Sequence, residues 1–107
     1  WNRVLILRMT IYEFTTSLTV TGGSANAASL RIVGGLLNQF LVRANTLTTV
    51  FQASLVDEDS ITRLNYDFHA GELNDLNCNL PMKGTYTVNI TNASVADTFR
   101  VILAVRE

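Results

Sequence analysis

The chain has one cysteine and one histidine, Cys78 and His69, one proline and a charged fraction of only 16%. Each scarcity removes a class of function. A lone cysteine cannot close an internal disulfide, so no covalent framework supports the fold, which fits an intracellular folding environment. Zinc coordination needs more His and Cys ligands than the chain has. A Cys–His nucleophile pair would need Cys78 and His69 within hydrogen-bond reach. Cys78 sits among Asn77, Asn79 and Leu80, with no basic neighbour to generate a thiolate. No catalytic set is expected, and no cofactor or metal. The formal net charge is −1, without a basic or acidic run, so neither nucleic acid nor an anionic membrane is an expected partner. No apolar stretch approaches the roughly 20 residues that span a bilayer. Val4–Leu7 is short and bracketed by Arg3 and Arg8. No signal peptide is visible, and the chain opens at Trp1.

What is abundant is strand-forming sequence. Hydrophobic residues make up 48% of 107 residues, enough for one domain over 1–107 that buries about two-thirds of its unfolded surface. Residues 3–16 read as a strand, or two with a bend near Thr10, rich in β-branched and aromatic residues. The unbroken run Val4–Leu7 suggests burial on both faces, under a loop or a neighbouring subunit. Residues 21–29 read as a loop in which Ala25–Ala28 could form one helical turn. They lack the Lys-Ser/Thr of a phosphate-binding loop. Residues 30–44 form a strand region that Gly34-Gly35 bends or bulges. Thr49, Phe51, Ala53 and Leu55 alternate with Thr48, Val50, Gln52 and Ser54, and Thr62, Leu64, Tyr66 and Phe68 with Arg63, Asn65, Asp67 and His69. The link Asp57-Glu58-Asp59-Ser60 makes the two runs a hairpin. Residues 70–81 read as a loop anchored by Leu73, Leu76 and Leu80 and closed by Pro81. Tyr86, Val88 and Ile90 mark another strand, and Phe99, Val101, Leu103 and Val105 a last one. The result is an all-β chain of six to eight strands, a two-sheet antiparallel sandwich or a barrel. The pattern leaves jelly-roll and immunoglobulin-like topologies open.

Few residue groups could carry chemistry. Asp57-Glu58-Asp59 has the oxygen ligands a hard cation takes, but it lacks the Gly and later Glu of an EF-hand and is also where a hairpin tip is solvated. Asn89-Ile90-Thr91 and Asn92-Ala93-Ser94 match the glycosylation sequon, relevant only on a eukaryotic secretory route. Tyr12, Phe14, Phe40, Phe51, Tyr66, Phe68, Tyr86 and Phe99 occupy mostly inward positions and lack interleaved basic residues, so they read as core, not as a base-stacking platform. Seven of the eight cationic residues are Arg, which suits partly desolvated contacts and equally a lineage composition. Trp1 is a candidate interface anchor.

Three features together resemble the small jelly-roll head-decoration (cement) proteins of tailed bacteriophages. They are the Thr/Asn-rich strands, the hairpin around Val56-Asp57-Glu58-Asp59, and the ending Gly84-Thr85-Tyr86-Thr87-Val88-Asn89-Ile90 … Phe99–Glu107. The likeness is one of character along the whole chain and rests on no signature motif. It implies a jelly roll, folded in the host cytoplasm, that sits on the capsid exterior and fastens several major capsid (coat) subunits. It also implies a homo-oligomer at a symmetry axis. Low charge with abundant Thr, Asn and Arg suits such a partly polar interface. The candidate interface is the N-terminal segment, with Trp1, Arg3, Val4, Leu5 and Arg8, because strand edges recruit partners. The competing readings are a tail or fibre module that binds a host-surface glycan or protein through residues 22–29 or 69–81, and an enzyme built where His69 meets Asp67, Glu72 or Cys78.

Overall fold

The structure is a computed structural model that describes residues 9–18, 24–28 and 31–106. Nine strands are described: β1 (Met9–Leu18), β2 (Ser24–Ala28), β3 (Ile32–Ala44), β4 (Val50–Val56), β5 (Thr62–Ala70), β6 (Glu72–Asp75), β7 (Leu80–Gly84), β8 (Thr87–Thr91) and β9 (Asp97–Arg106). There is no helix among the described residues. One sheet has the order β1-β9-β3-β6, with β7 also on β3, and the other β2-β8-β4-β5.

The pairings trace a single rolled-up hairpin. β4 pairs β5 at its tip, then β3 pairs β6 and β7, then β2 pairs β8, and finally β1 pairs β9, all antiparallel. β6 takes Phe40–Arg43 of β3 and β7 takes Ile32–Leu37, so the two short strands fill one strand position and the roll has eight. The further pairs β3–β9 and β4–β8 fold the long ribbon into two facing sheets. That is jelly-roll topology, and it settles the choice the sequence pattern left open.

Alternation of side chains decides which faces meet. Phe40, Val42, Phe99, Val101, Leu103 and Val105 point from the first sheet, and Phe51, Leu55, Val88 and Ile90 from the second; all are essentially inaccessible to solvent. Phe51 meets Phe99 edge-to-face with ring centroids 5.1 Å apart, and Phe40 stacks on Tyr66 at 5.3 Å. Each pair joins one sheet to the other, in geometries worth about 0.5–1.5 kcal/mol beyond the burial itself.

Two expectations are corrected. Ala25–Ala28 is not a helical turn: it lies in β2, paired with β8 throughout, because ladder hydrogen bonds with β8 override local propensity, even alanine's high preference for helix. Residues 70–81 are not one loop, since β6 and part of β7 lie within them. Pro81 sits inside β7, at the sheet's edge, where its missing N–H costs no ladder bond. Of the two readings of residues 3–16, the single strand holds over the described part, where β1 runs unbroken from Met9 through Thr10 to Leu18. The covered run Val4–Leu7 lies outside the described residues.

The Gly34-Gly35 irregularity is present as a register shift between Ile32 and Gly35 against β7. Gly35 has φ +143, and a Cβ there would stand 2.7 Å from Val105 Cγ1 and 2.8 Å from the Arg106 carbonyl oxygen. The main chain of β3 approaches β9 closely only because that position carries no side chain. Gly35→Ala is therefore expected to lower stability by about 2 kcal/mol or more. Gly34→Ala, where a Cβ meets nothing within 4 Å, should change it far less. Urea denaturation of both variants reads the difference, and equal midpoints would contradict the close approach.

Candidate functional site

The same alternation that buries one face of β1, β9 and β3 leaves the other outside, and that outer face is not wet in character. Register places Glu13, Ile102, Leu41 and Asn74 in one row across the sheet, Ile11, Ala104 and Gln39 in the next, and Met9, Arg106, Leu36 and Pro81 beyond. Met9 and Ile11 are 50% and 54% exposed, and Leu36, Leu41 and Ile102 are half-buried. Ala104, on the outward parity of β9, is covered by its neighbours and only 3% exposed. The centre of the outer sheet is thus apolar. On its other side runs the row Thr15, Arg100, Arg43 and Glu72. Arg100 Nε donates to Glu13 Oε1 at 2.6 Å, and Thr15, Arg43, Ala44, Asn45, Thr98 and Arg100 line a hollow of about 340 Å³. An apolar centre beside a rim of Arg, Thr and Asn is the anatomy of a protein interface.

β1 adds a second interface property. It is the end strand of its sheet, ten residues long, and contains neither Pro nor Gly. Natural edge strands normally carry charges, prolines or bulges that discourage pairing. The only charge in β1 is Glu13, tied to Arg100. The sequence-predicted contact residues Trp1, Arg3, Val4, Leu5 and Arg8, which directly precede this strand, lie outside the described residues.

A cleft opens on the opposite flank, between the edge strands β5 and β6. Tyr66, His69, Leu73, Asn74, Asp75, Leu76 and Asn77 line about 340 Å³ there. Its shape depends on a bulge. Ala53 pairs with Tyr66 but Phe51 with His69, so Asp67 and Phe68 together face one β4 residue, Gln52. Asp67 Oδ1 accepts the Phe68 N–H at 2.8 Å and Gln52 Nε2 at 3.2 Å, which pins the bulge. The extra residue reverses the parity of the strand. Phe68, expected inward, is 55% exposed, and His69 lines the cleft. Leu76, expected to anchor its loop, is 62% exposed, because β6 ends at Asp75 and no strand beneath it turns the side chain inward.

Within the cleft, Tyr66 donates its hydroxyl to Asp75 Oδ2 at 2.7 Å, and the Asn77 N–H donates to Asp75 Oδ1 at 2.9 Å. These two bonds, the tyrosine's foremost, hold the Asp75 carboxyl below the usual carboxylate range. Burial, and then the bond to Asp75, push the Tyr66 phenol upward. His69 Nδ1 lies 2.8 Å from the Asp67 backbone oxygen, not at a carboxylate. Cys78 Sγ donates to the Asp75 carbonyl at 3.4 Å and lies 4.0 Å from the Tyr66 hydroxyl. Burial, followed by the Asp75 charge, raises the Cys78 thiol, the reverse of what activates a nucleophile. The Cys–His constellation is not built as an active pair.

Two further carboxylates, Asp57 and Asp97, hold turns and connections. Asp57 Oδ1 accepts the N–H groups of Asp59 and Ile61, both at 2.9 Å, and Oδ2 accepts Arg63 Nε at 2.8 Å. Those bonds, that of Ile61 foremost, keep Asp57 acidic. No group of three or more metal-ligating side chains is assembled among the described residues. Asp97 ties the β3–β4 connection to the start of β9 by accepting Thr49 Oγ1 at 2.8 Å, the Thr46 N–H at 3.1 Å and the Thr98 N–H at 2.7 Å. Desolvation works against its charge, but these bonds outweigh it and lower its pKa.

Sequence reasoning missed the outer face, and it pointed to residues 69–81 for a binding site without the part that Tyr66 plays in lining the cleft. Ile102, Ala104 and Leu41 stand at non-core parity in the sequence and could have signalled the first. The bulge had no residue signature.

No family model and no curated protein sequence matches the chain. Solved structures share its fold. One, from the cyanophage Pam1 capsid asymmetric unit, has a TM-score of 0.56 and 13% identity, over 94% of this chain and 84% of that one. Another, the Yersinia pseudotuberculosis-derived mitogen, has a TM-score of 0.51 and 12% identity, over 94% of this chain and 87% of that one. At such identities the likeness establishes the jelly-roll fold.

Two expectations follow from the electrostatics. The carboxyls of Asp57, Asp75 and Asp97 are more acidic in the folded chain than their ordinary value of 3.8. Their stabilisation is therefore complete above that value and lost as pH falls through and below it. Denaturation midpoints should hold from pH 7 to about pH 5 and fall steeply toward pH 3, with a shallower fall in Asp97→Asn. A flat profile would contradict the assignment. Cys78 should react with iodoacetamide at neutral pH at least about tenfold more slowly in the folded chain than after denaturation, read by mass spectrometry.

Proposed function

We propose that this chain is a structural virion protein that decorates the outside of a phage capsid and clamps neighbouring coat subunits. One observation carries the reading: the outer face of the β1-β9-β3 sheet is apolar at Met9, Ile11, Leu36, Leu41 and Ile102 and bordered by Arg43 and Arg100. A sandwich that meets only water keeps that face polar. The shared fold with the cyanophage Pam1 capsid structure supports the same reading. So does the way a clamp works, which relies on many uncharged contacts and needs no reactive centre.

The proposed partner is the major capsid protein, with the chain acting as one domain over residues 1–107 and forming a homo-oligomer at a symmetry axis. The contact runs from the outer face into the preceding segment, in which Trp1, Val4 and Leu5 supply apolar anchors and Arg3 and Arg8 polar ones. The protein folds in the host cytoplasm and ends on the capsid exterior.

Co-sedimentation with purified coat shells tests this. The wild-type chain should pellet with shells and raise the temperature at which they rupture. Ile11→Asp with Ile102→Asp should weaken binding at least tenfold, about 1.4 kcal/mol, while circular dichroism stays unchanged. Ile61→Asp, at a side chain 49% exposed in the β4–β5 connection of the other sheet, should bind like wild type. Absence of shell binding by the wild-type chain would overturn the proposal.

A further inference from the structure

The cleft between β5 and β6 shares only Asn74 with the rows of the outer face, and its chemistry is specific enough to indicate a ligand. We infer that it is a binding site for a neutral pyranose sugar, the terminal residue of a glycan. The inference rests on how four polar groups converge on one hollow beside an apolar wall, and is independent of the shell reading.

The donors and acceptors are fixed by their own partners. A carbonyl oxygen only accepts, so His69 Nδ1, 2.8 Å from the Asp67 backbone oxygen, carries the hydrogen of that bond. Nε2, on the far side of the ring, is left to meet a ligand hydroxyl, which can donate or accept as the ring requires. Each Asp75 oxygen accepts one bond, from Tyr66 or from the Asn77 N–H, and retains lone pairs for a ligand hydroxyl. The Tyr66 ring is immobilised by stacking on Phe40, so the carboxylate it holds is set in place before any ligand arrives. Exposed Asn77 stands beside that carboxylate and adds amide donors and an acceptor. Sugar hydroxyls donate and accept at once, and a carboxylate next to an amide answers adjacent hydroxyls with both functions.

The lining also selects by charge and shape. It contains Asp75 and neither Lys nor Arg, so an anionic sugar or a phosphate meets a carboxylate with no cation to offset it. Leu73, buried, and Leu76, 62% exposed, form an apolar wall suited to the C–H face of a pyranose. A hollow of about 340 Å³ lies at the small end of ligand sites, which run from about 300 to 1,000 Å³. The bulge at Asp67-Phe68 is what delivers His69 to this place, in keeping with the tendency of bulges to re-aim side chains at binding sites.

The test is a two-dimensional amide NMR titration of the full chain with a panel of neutral sugars: glucose, galactose, mannose, N-acetylglucosamine, lactose and maltose. Sialyllactose serves as the anionic comparator. At least one neutral sugar should give saturable shifts confined to Tyr66, His69 and residues 73–77, with a Kd on the order of 1 mM, and sialyllactose should bind more weakly than lactose. Asn77→Ala and His69→Ala, both at exposed positions, should each weaken binding at least fivefold. Tyr66→Phe, which keeps the stacked ring and removes the bond to Asp75, should also weaken it, with the fold checked by the unchanged remainder of the spectrum. The inference is overturned if no neutral sugar saturates, if the shifts lie elsewhere, if sialyllactose binds better, or if Asn77→Ala and His69→Ala bind as wild type.

Discussion

The architecture depends on which side chains point inward, and two aromatic contacts fix that choice across the sandwich. Phe51 against Phe99 and Phe40 against Tyr66 join one sheet to the other. Side chains on a strand alternate with period two, so once these four rings face inward the parity of β3, β4, β5 and β9 is decided, and a one-residue slip would expose every core residue on a strand. β1 inherits its parity from β9 by direct pairing, and β8 from β4. The outer face is therefore a consequence of the core: with Phe99, Val101, Leu103 and Val105 inside, Ile102 and Ala104 have nowhere to stand but outside.

That consequence bears on function. β9 is apolar on both parities over Val101–Val105, as a central strand covered on both sides is. β1 and β3 contribute Ile11 and Leu41 beside it. Polar residues on the outer side of this sheet would have cost the fold nothing, yet the rows between Arg100 and Arg106 carry Ile11, Leu41, Ile102 and Ala104 beside the polar Glu13, Gln39 and Asn74. The opposite flank is different in kind. There a bulge, a stacked tyrosine and a carboxylate with fixed partners build a small polar hollow. A shell component with one broad apolar contact face and one compact polar cleft could fasten to its partner with the first and leave the second open to the surroundings.

Much of the fold was legible in the sequence because the inward residues of the hairpin 49–68 and of the last two strands alternate without interruption. The chain gave no comparable signal where pairing depends on distant residues. Ser24–Ala28 is weakly strand-forming and is made a strand by β8. Glu72–Asp75 reads as loop because four polar-rich residues form a strand only when β3 offers an edge to them. The hidden feature of most consequence is the bulge at Asp67-Phe68. Asp67 forms it through bonds to Phe68 and Gln52, a tertiary arrangement that no local pattern encodes, and it exchanges the places of Phe68 and His69. That Cys78 has no basic neighbour to lower its pKa was legible from the sequence, and burial and then the Asp75 charge raise its thiol. The expected N-terminal contact residues lie outside the described residues, and the outer face next to them emerged only from the register.

The central claim is that the outer face of the β1-β9-β3 sheet is covered by another protein in the assembled particle. Hydroxyl-radical footprinting with mass spectrometry, on the chain free in solution and bound to coat shells, measures this side chain by side chain. The account predicts that labelling of Met9, Ile11 and Ile102 falls severalfold on binding while Phe68 and Leu76 keep their free-state reactivity. Unchanged labelling of Met9 and Ile11 in shell-bound protein, with protection at Phe68 and Leu76 instead, would contradict it.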